Sequence, residues 1–547
     1  MKKILKAITL ILALVITSTS LFACNDKSGL PKNYTKLPDY SGKGKYYEFS
    51  ACSGPMNGIF TIDGEKVQLG PDQRTVEGYT TFLDAGFNIV YLSGTASDTS
   101  PTFEISECKR AMTAAYEAGA KKIILQDSRI WNLSELGDDI IGTTKGYATF
   151  DDLVDQVKIY MSEYIEQDGF YGVTLRDEAS AKLEVADRWV YKAVYTAWQE
   201  LVEEKNIQKP IKDYIMIYQN LLPYTSDYTR YGDPGEYATM AEAYTAYIEN
   251  HFKPTLDGVV DENGEPVQFM TPDIFSIDVY APRDKGLSPD YFVTFLLLRE
   301  LCQKYNVRPS FAITSFEMYN GNYRTYRGAY MSEMMLELYS LMGVGYENFM
   351  YYTYQPTQNR KSLAEWNEEF CFMTSAGEKT NIYTYGQQLM GWAQKMGEII
   401  MNYEYQGAKF YFSELPNYNV GGYLMGNPGN VILADEKKSS EASSLTFDNN
   451  KHTFTLLNGA QFTNDALFVT ELKDEENNLY MYMLQNVVDP GYGGEVDTSG
   501  TVTATFDASY THVAKIKDGN VSYVPLINGV YSETLSAGQA VYLVPLK

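Results

Sequence analysis

Between residues 45 and 411, short apolar runs bounded by turn residues alternate eight times with stretches of helical periodicity. Beyond about Phe412 the periodicity changes to short alternating runs separated by Gly, Asn and Asp. The first pattern is that of repeated β-α units and the second that of antiparallel strands joined by tight turns. The sequence therefore predicts an α/β chain: a (β/α)8 TIM barrel with enlarged loops over 45–411, followed by a C-terminal antiparallel β-sandwich over 412–547.

Ahead of the barrel, residues 1–23 have a basic start, an apolar run from Ile8 to Ile16 and small or apolar residues leading to Cys24. That is the pattern of a signal peptide for secretion, and the run is too short for a comfortable transmembrane helix. Leu21-Phe22-Ala23-Cys24 resembles the lipobox of bacterial lipoproteins, which implies a lipid on Cys24 after cleavage. Residues 24–44 are polar and rich in Gly, Pro and Lys, as in a flexible tether. The expected location is the outer face of the bacterial cell membrane, held through the anchor at Cys24.

Eight strands are expected in order. They are YYEFSACSG from Tyr46, NIVYLSG from Asn88, KKIILQD from Lys121, FYGVTLRDE from Phe170, DYIMIYQN from Asp213, DIFSIDVYAP from Asp273, PSFAITSFE from Pro309 and ENFMYYTYQP from Glu347. Each is a run of β-branched and aromatic residues of strand length. The segments between them place apolar residues at helical spacing, as in ISECKRAMTAAYEAGA and DDLVDQVKIYMSEYIEQ, and YGQQLMGWAQKMGEIIMNY would close the ring.

Composition narrows the partners. A net charge of −25 opposes nucleic-acid phosphates and anionic headgroups, so no nucleic acid is expected and a neutral ligand is. With 3 His, and cysteines scattered without CxxC spacing, no metal site of the His/Cys kind can be read, and no cofactor is expected. The 47 Tyr give flat faces with an edge hydroxyl, suited to stacking on sugars, and equally suited to plain packing.

In such a barrel the working groups sit at the carboxyl ends of the strands. Alternation along the fourth strand sends Val173 and Leu175 toward helices, Thr174, Arg176 and Glu178 toward the lumen and its mouth, and Asp177 away. The sixth strand likewise sends Asp278 and Tyr280 inward, and the fifth offers Tyr218 and Asn220. Tyr352 and Tyr354 end the eighth strand, and Trp131 follows the third; these are candidate sugar platforms. A mouth of Glu, Asp, Arg, Asn and Tyr suits carboxylate chemistry on a polyhydroxylated substrate.

Glu178 in RDEAS, after the fourth strand, and Glu317 in ITSFEMYNG, after the seventh, together with the barrel and the β-rich tail, resemble the clan A glycoside hydrolases. The resemblance implies a retaining O-glycosyl hydrolase with Glu178 as acid/base and Glu317 as nucleophile, and with Arg176 and Asp177 orienting Glu178. The family usually carries Asn where this chain has Asp177, and strict alternation turns Glu317 toward the helices, which makes Asp278 the reserve second carboxylate. Two other classes compete: a non-catalytic glycan-binding surface lipoprotein on the same barrel, and a solute-binding lipoprotein, which would lack the β-rich tail.

Overall fold

The computed structural model describes residue 30 and residues 33–547, apart from 93–103, 413–423, 426–429, 434–445, 492–497 and the single residues 209, 225, 234, 262, 285, 289, 322, 465 and 490. The expected signal peptide and Cys24 lie outside the described residues.

Each expected strand forms: β1 Glu48–Ala51, β2 Val90–Leu92, β3 Ile123–Leu125, β4 Phe170–Thr174, β5 in two halves, Met216–Tyr218 and Asn220–Leu221, β6 Ile274–Asp278, β7 Arg308–Thr314 and β8 Asn348–Tyr352. They make two parallel sheets. One runs β1-β8-β7-β6-β5 and the other β2-β3-β4-β5, so the fifth strand contributes one half to each. At the other end, the amides of Asn88 and Ile89 both donate to the carbonyl of Phe49, tying the start of β2 to β1. The arrangement is TIM-barrel-like.

Alternation explains why the strands hold this order. Ile89, Tyr91, Ile124, Met216, Tyr218, Ile274 and Met350 pack with one another as an inner cluster. Their sequence neighbours Val90, Ile123, Leu125, Ile217, Phe275, Phe349 and Tyr351 join the helices in the main core. Successive strand residues point to opposite faces, so both faces of these strands are buried. Helices follow at Val76–Asp84, Ile105–Glu117, Phe150–Ser162, Glu184–Glu204, Met240–Asn250, Tyr291–Tyr305, Met331–Gly343 and Asn381–Ile400. Thr75, Thr149, Thr239 and Thr380 start four of them by accepting from amides of the first turn.

The C-terminal region is antiparallel. A six-stranded sheet runs Glu404–Phe412, Ala466–Asp474, Leu479–Asn486, Ala540–Leu546, His512–Lys517, Asn520–Pro525, and a three-stranded one runs Leu457–Phe462, Gly500–Phe506, Val530–Leu535. Leu467, Val469, Leu484 and Leu543 of the larger sheet share a core with Val502, Phe506 and Leu535 of the smaller. Their neighbours Phe468, Leu472 and Met483 turn the other way, into the main core, where Phe468 meets Phe292 at 5.7 Å between ring centroids. The first strand of this region, Glu404–Phe412, ends where the sequence placed the start of the tail. The second half of the expected tether is also anchored. Tyr40 is buried and donates to Asp474 Oδ2 at 2.6 Å, and the ring of Tyr34 meets His512 at 5.4 Å, so both tyrosines are held by residues of the C-terminal sheet.

Candidate active site

A cavity of about 320 Å³ opens at the carboxyl ends of the parallel strands. Asp177 and Glu178 follow β4, Tyr218 and Asn220 belong to β5, Asp278 ends β6, Tyr280 follows it and Tyr352 ends β8; all seven line the cavity.

Asn220 organises the carboxylates. Its Nδ2 donates to Asp177 Oδ1 at 3.0 Å and to Asp278 Oδ1 at 2.9 Å. The two N–H directions of a primary amide diverge by about 120°, and acceptors lying along both stand about 5 Å apart. Protein packed around Asp278 pushes its carboxyl well above the usual range, and the charges of Glu178 and then Asp177 push further. Asp177 is raised to about 6, first by the surrounding protein and then by Glu178, while the Asn220 hydrogen bond pulls the other way. Asp177 is open to the water of the cleft although protein surrounds that cleft. Like charges held this close cannot all ionise together, so Asp278 keeps a proton where Asp177 is ionised.

Glu178 sits in a left-handed turn at φ 48°, where the chain leaves the extended conformation. Its amide donates to the carbonyl of Asn220 at 2.9 Å, and Arg230 holds it from outside, donating to its carbonyl at 2.7 Å with the carboxylate at 3.8 Å. One wall of the cavity is aromatic: Tyr280 meets Phe316 at 5.0 Å, Tyr326 at 5.7 Å and Tyr352 at 5.5 Å. Tyr218 is buried on the cavity floor, its hydroxyl 3.8 Å from the sulfur of Met350.

Four expected residues do not line the cavity. Arg176 turns to an ion pair with Glu135, while Asp177, expected to face away, lines the cavity; the alternation that assigned both ends with β4 at Thr174. Glu317 is fully buried beside the cavity. Its Oε1 accepts from the Tyr319 hydroxyl at 2.6 Å and Asn367 Nδ2 at 3.2 Å, and its Oε2 from the Gly328 amide at 2.8 Å. These bonds fix the hairpin Met318–Asn320 with Tyr323–Tyr326, whose Met318 and Tyr326 do line the cavity. Tyr354 packs into the core against Phe82 at 5.0 Å and Phe87 at 5.9 Å. Trp131 ends the short helix Ser128–Trp131, capped by Asp127, outside the cavity lining.

The lining residues that were not anticipated include Cys52, Tyr91, Arg283, Phe316, Met318 and Tyr326, and Leu175, expected to face the helices, lines the cavity as well. Alternation held the signal for Tyr91, flanked by outward Val90 and Leu92, and for Phe316, in phase with the lining residue Ala312. Nothing in the local sequence marks Arg283 or Tyr326.

No known family profile matches the chain, and no curated protein does. Solved structures with a similar chain course include a β-galactosidase from the psychrophilic Marinomonas ef1, at 9% identity and TM-score 0.38, over 64% of this chain and 60% of that one. An α-amylase from Geobacillus thermoleovorans matches at 11% and 0.40, over 92% and 98%, and a glucosidase from Croceicoccus marinus at 8% and 0.38, over 92% and 96%. So distant a likeness says nothing about the residues of the cavity.

Proposed function

We propose that the two arcs of strands form one closed (β/α)8 barrel, that the C-terminal sheets form a β-sandwich packed on it, and that the cavity hydrolyses a glycosidic bond by retaining double displacement. The observation that carries this reading is the amide of Asn220 shared between Asp177 and Asp278; acceptors lying along the two N–H directions of one amide stand about 5 Å apart. Retaining glycosidases hold their two carboxyl groups about 5–5.5 Å apart, and inverting ones about 6.5–9.5 Å.

In this reading Asp278, kept neutral, is the acid/base, and Asp177 is the nucleophile; Glu317, buried outside the cavity, is neither. Asp177 attacks the anomeric carbon as Asp278 gives its proton to the departing glycosidic oxygen. The Asp278 carboxylate then takes a proton from water, the water oxygen bonds to the same carbon, and Asp177 leaves as carboxylate. Glu178 supplies the adjacent negative charge that helps hold the proton on Asp278. Tyr280 and Tyr352 present rings to the sugar faces.

The test is Asp278→Asn. Hydrolysis of a natural oligosaccharide should fall about 10²- to 10⁴-fold, while an aryl glycoside with a good leaving group should form the glycosyl-enzyme with far less loss, and azide should restore its turnover. Equal losses on both substrates would reject the assignment. The rival reading is a glycan-binding lipoprotein without turnover, favoured by the way Asn220 and Arg230 already engage the carboxylates. Wild type that binds a glycan yet cleaves none of a broad glycoside panel would establish it. Attachment to the outer membrane face through Cys24 is proposed from the lipobox resemblance alone.

A further inference from the structure

Arg283 lines the cavity, and its guanidinium lies over the ring of Tyr326, 4.3 Å from the centroid. That ring is fixed in turn, edge-on to Tyr280 at 5.7 Å and against Phe316 at 5.1 Å. The adjacent Asp284 is taken by Arg324 at 2.8 Å. Among the described residues Arg283 has neither a carboxylate within 4.0 Å nor a hydrogen-bonded acceptor, whereas Arg230, outside the cavity lining, is bound to Glu178. The chain carries 70 acidic residues against 45 basic ones, so carboxylates are in surplus; Arg188 and Arg299 are also without one, but they donate to backbone carbonyls, which Arg283 does not among the described residues. Stacking occupies the face of a guanidinium and leaves its edge, a planar fork of N–H donors, directed outward. Such a fork matches an oxyanion in two-point contact.

We propose that Arg283, fixed on Tyr326, is an anion subsite of this cavity, which takes a sugar carrying a carboxylate or a sulfate group and not a wholly neutral one. The inference rests on the sugar-binding part of the reading above and does not require turnover. It revises the expectation of a neutral ligand drawn from net charge, since that argument concerns long-range approach and Arg283 acts at contact, where screening by water is least.

Isothermal titration of the full chain tests it. Methyl glucuronide and methyl galacturonide form the carboxylate arm and glucose 6-sulfate and galactose 6-sulfate the sulfate arm, each set against methyl glucoside and methyl galactoside. At least one anionic sugar should bind about 10- to 100-fold more tightly than its neutral counterpart, the range of a charged hydrogen-bonded contact, and the arm that responds identifies the anion. Arg283→Gln should close that gap. Arg283→Lys, which keeps the charge and loses the fork, should keep part of it, and it stands in should the Gln variant fail to fold. A neutral sugar bound as tightly as every anionic one, or a gap that survives in the folded variants, overturns the inference. Binding of an anionic sugar with no hydrolysis of any glycoside would sink the hydrolase reading and leave this one; hydrolysis of neutral glycosides with no anionic preference would do the reverse.

Discussion

Replacing Asn220 with Ala removes the amide that donates to both Asp177 and Asp278, and the consequence can be read from a pH profile. Asp177 must be ionised to attack, so kcat/KM should rise with pH through its value of about 6. The Asn220 hydrogen bond lowers that value, and a hydrogen bond to a charged group is worth about 1.5–3 kcal/mol, or about 1–2 pH units. Asp177 is open to water, which replaces part of the lost bond, so the lower end applies. The rising limb should therefore move up by about 1 unit in Asn220→Ala. The assay is kcat/KM for an activated aryl glycoside across that range, with a thermal scan to show that the variant is folded. A limb that stays in place while the whole profile merely scales down would refute the coupling of Asn220 to Asp177.

Three other outcomes are expected. Burial raises Glu184 to about 8 and Asp187 to about 7. The folded chain thus holds these protons more tightly than the unfolded one, whose carboxyls titrate at about 4, and this contribution to stability is full below about pH 4 and is lost as pH rises toward about 8. The Tm should fall over that interval, and the Glu184→Gln, Asp187→Asn double variant should flatten the decline; an unchanged slope would contradict the attribution. Arg327, buried next to Tyr326, donates to Asp489 at 2.5 Å and to Glu333 at 3.3 Å. Asp489→Ala should cost somewhat less than the about 3–5 kcal/mol of a fully broken buried pair, because Glu333 remains, and should raise KM more than it lowers kcat through the neighbouring Tyr326; denaturant titration and steady-state kinetics check both. Cys24→Ala should release the protein from membranes or leave its leader uncut, which fractionation and mass measurement would show, and unaltered membrane association would reject the anchor.

What the sequence revealed about the site follows the reach of strand alternation. Where the chain stays extended, period 2 names the inward residue, as it does for Tyr218 and Asn220 on β5 and for Asp278 at the end of β6. It fails one residue beyond Leu175, because a left-handed turn at Glu178 lets Asp177 line the cavity and releases Arg176 to Glu135. Glu317 was placed in the site by the resemblance, against the alternation that turned it toward the helices. The chain beyond β7 folds into a hairpin, and this carboxylate serves as its buried anchor. Arg283 and Tyr326 come from different loops that meet only in space, so neither spacing nor residue type points to them. The strands and helices themselves were legible, because each carries its own apolar periodicity and β-branched runs or threonine caps at its ends.

The central claim, that Asp177 and Asp278 are the working pair, is tested most directly by trapping the intermediate. A 2-deoxy-2-fluoro glycosyl fluoride of the sugar that wild type releases slows the second step, so the glycosyl group stays on the nucleophile and a peptide mass map locates it. The label is expected on Asp177, with none formed in Asp177→Asn. A label on Glu317 or Glu178 would contradict it, and so would hydrolysis with no trapped species and inversion at the anomeric carbon.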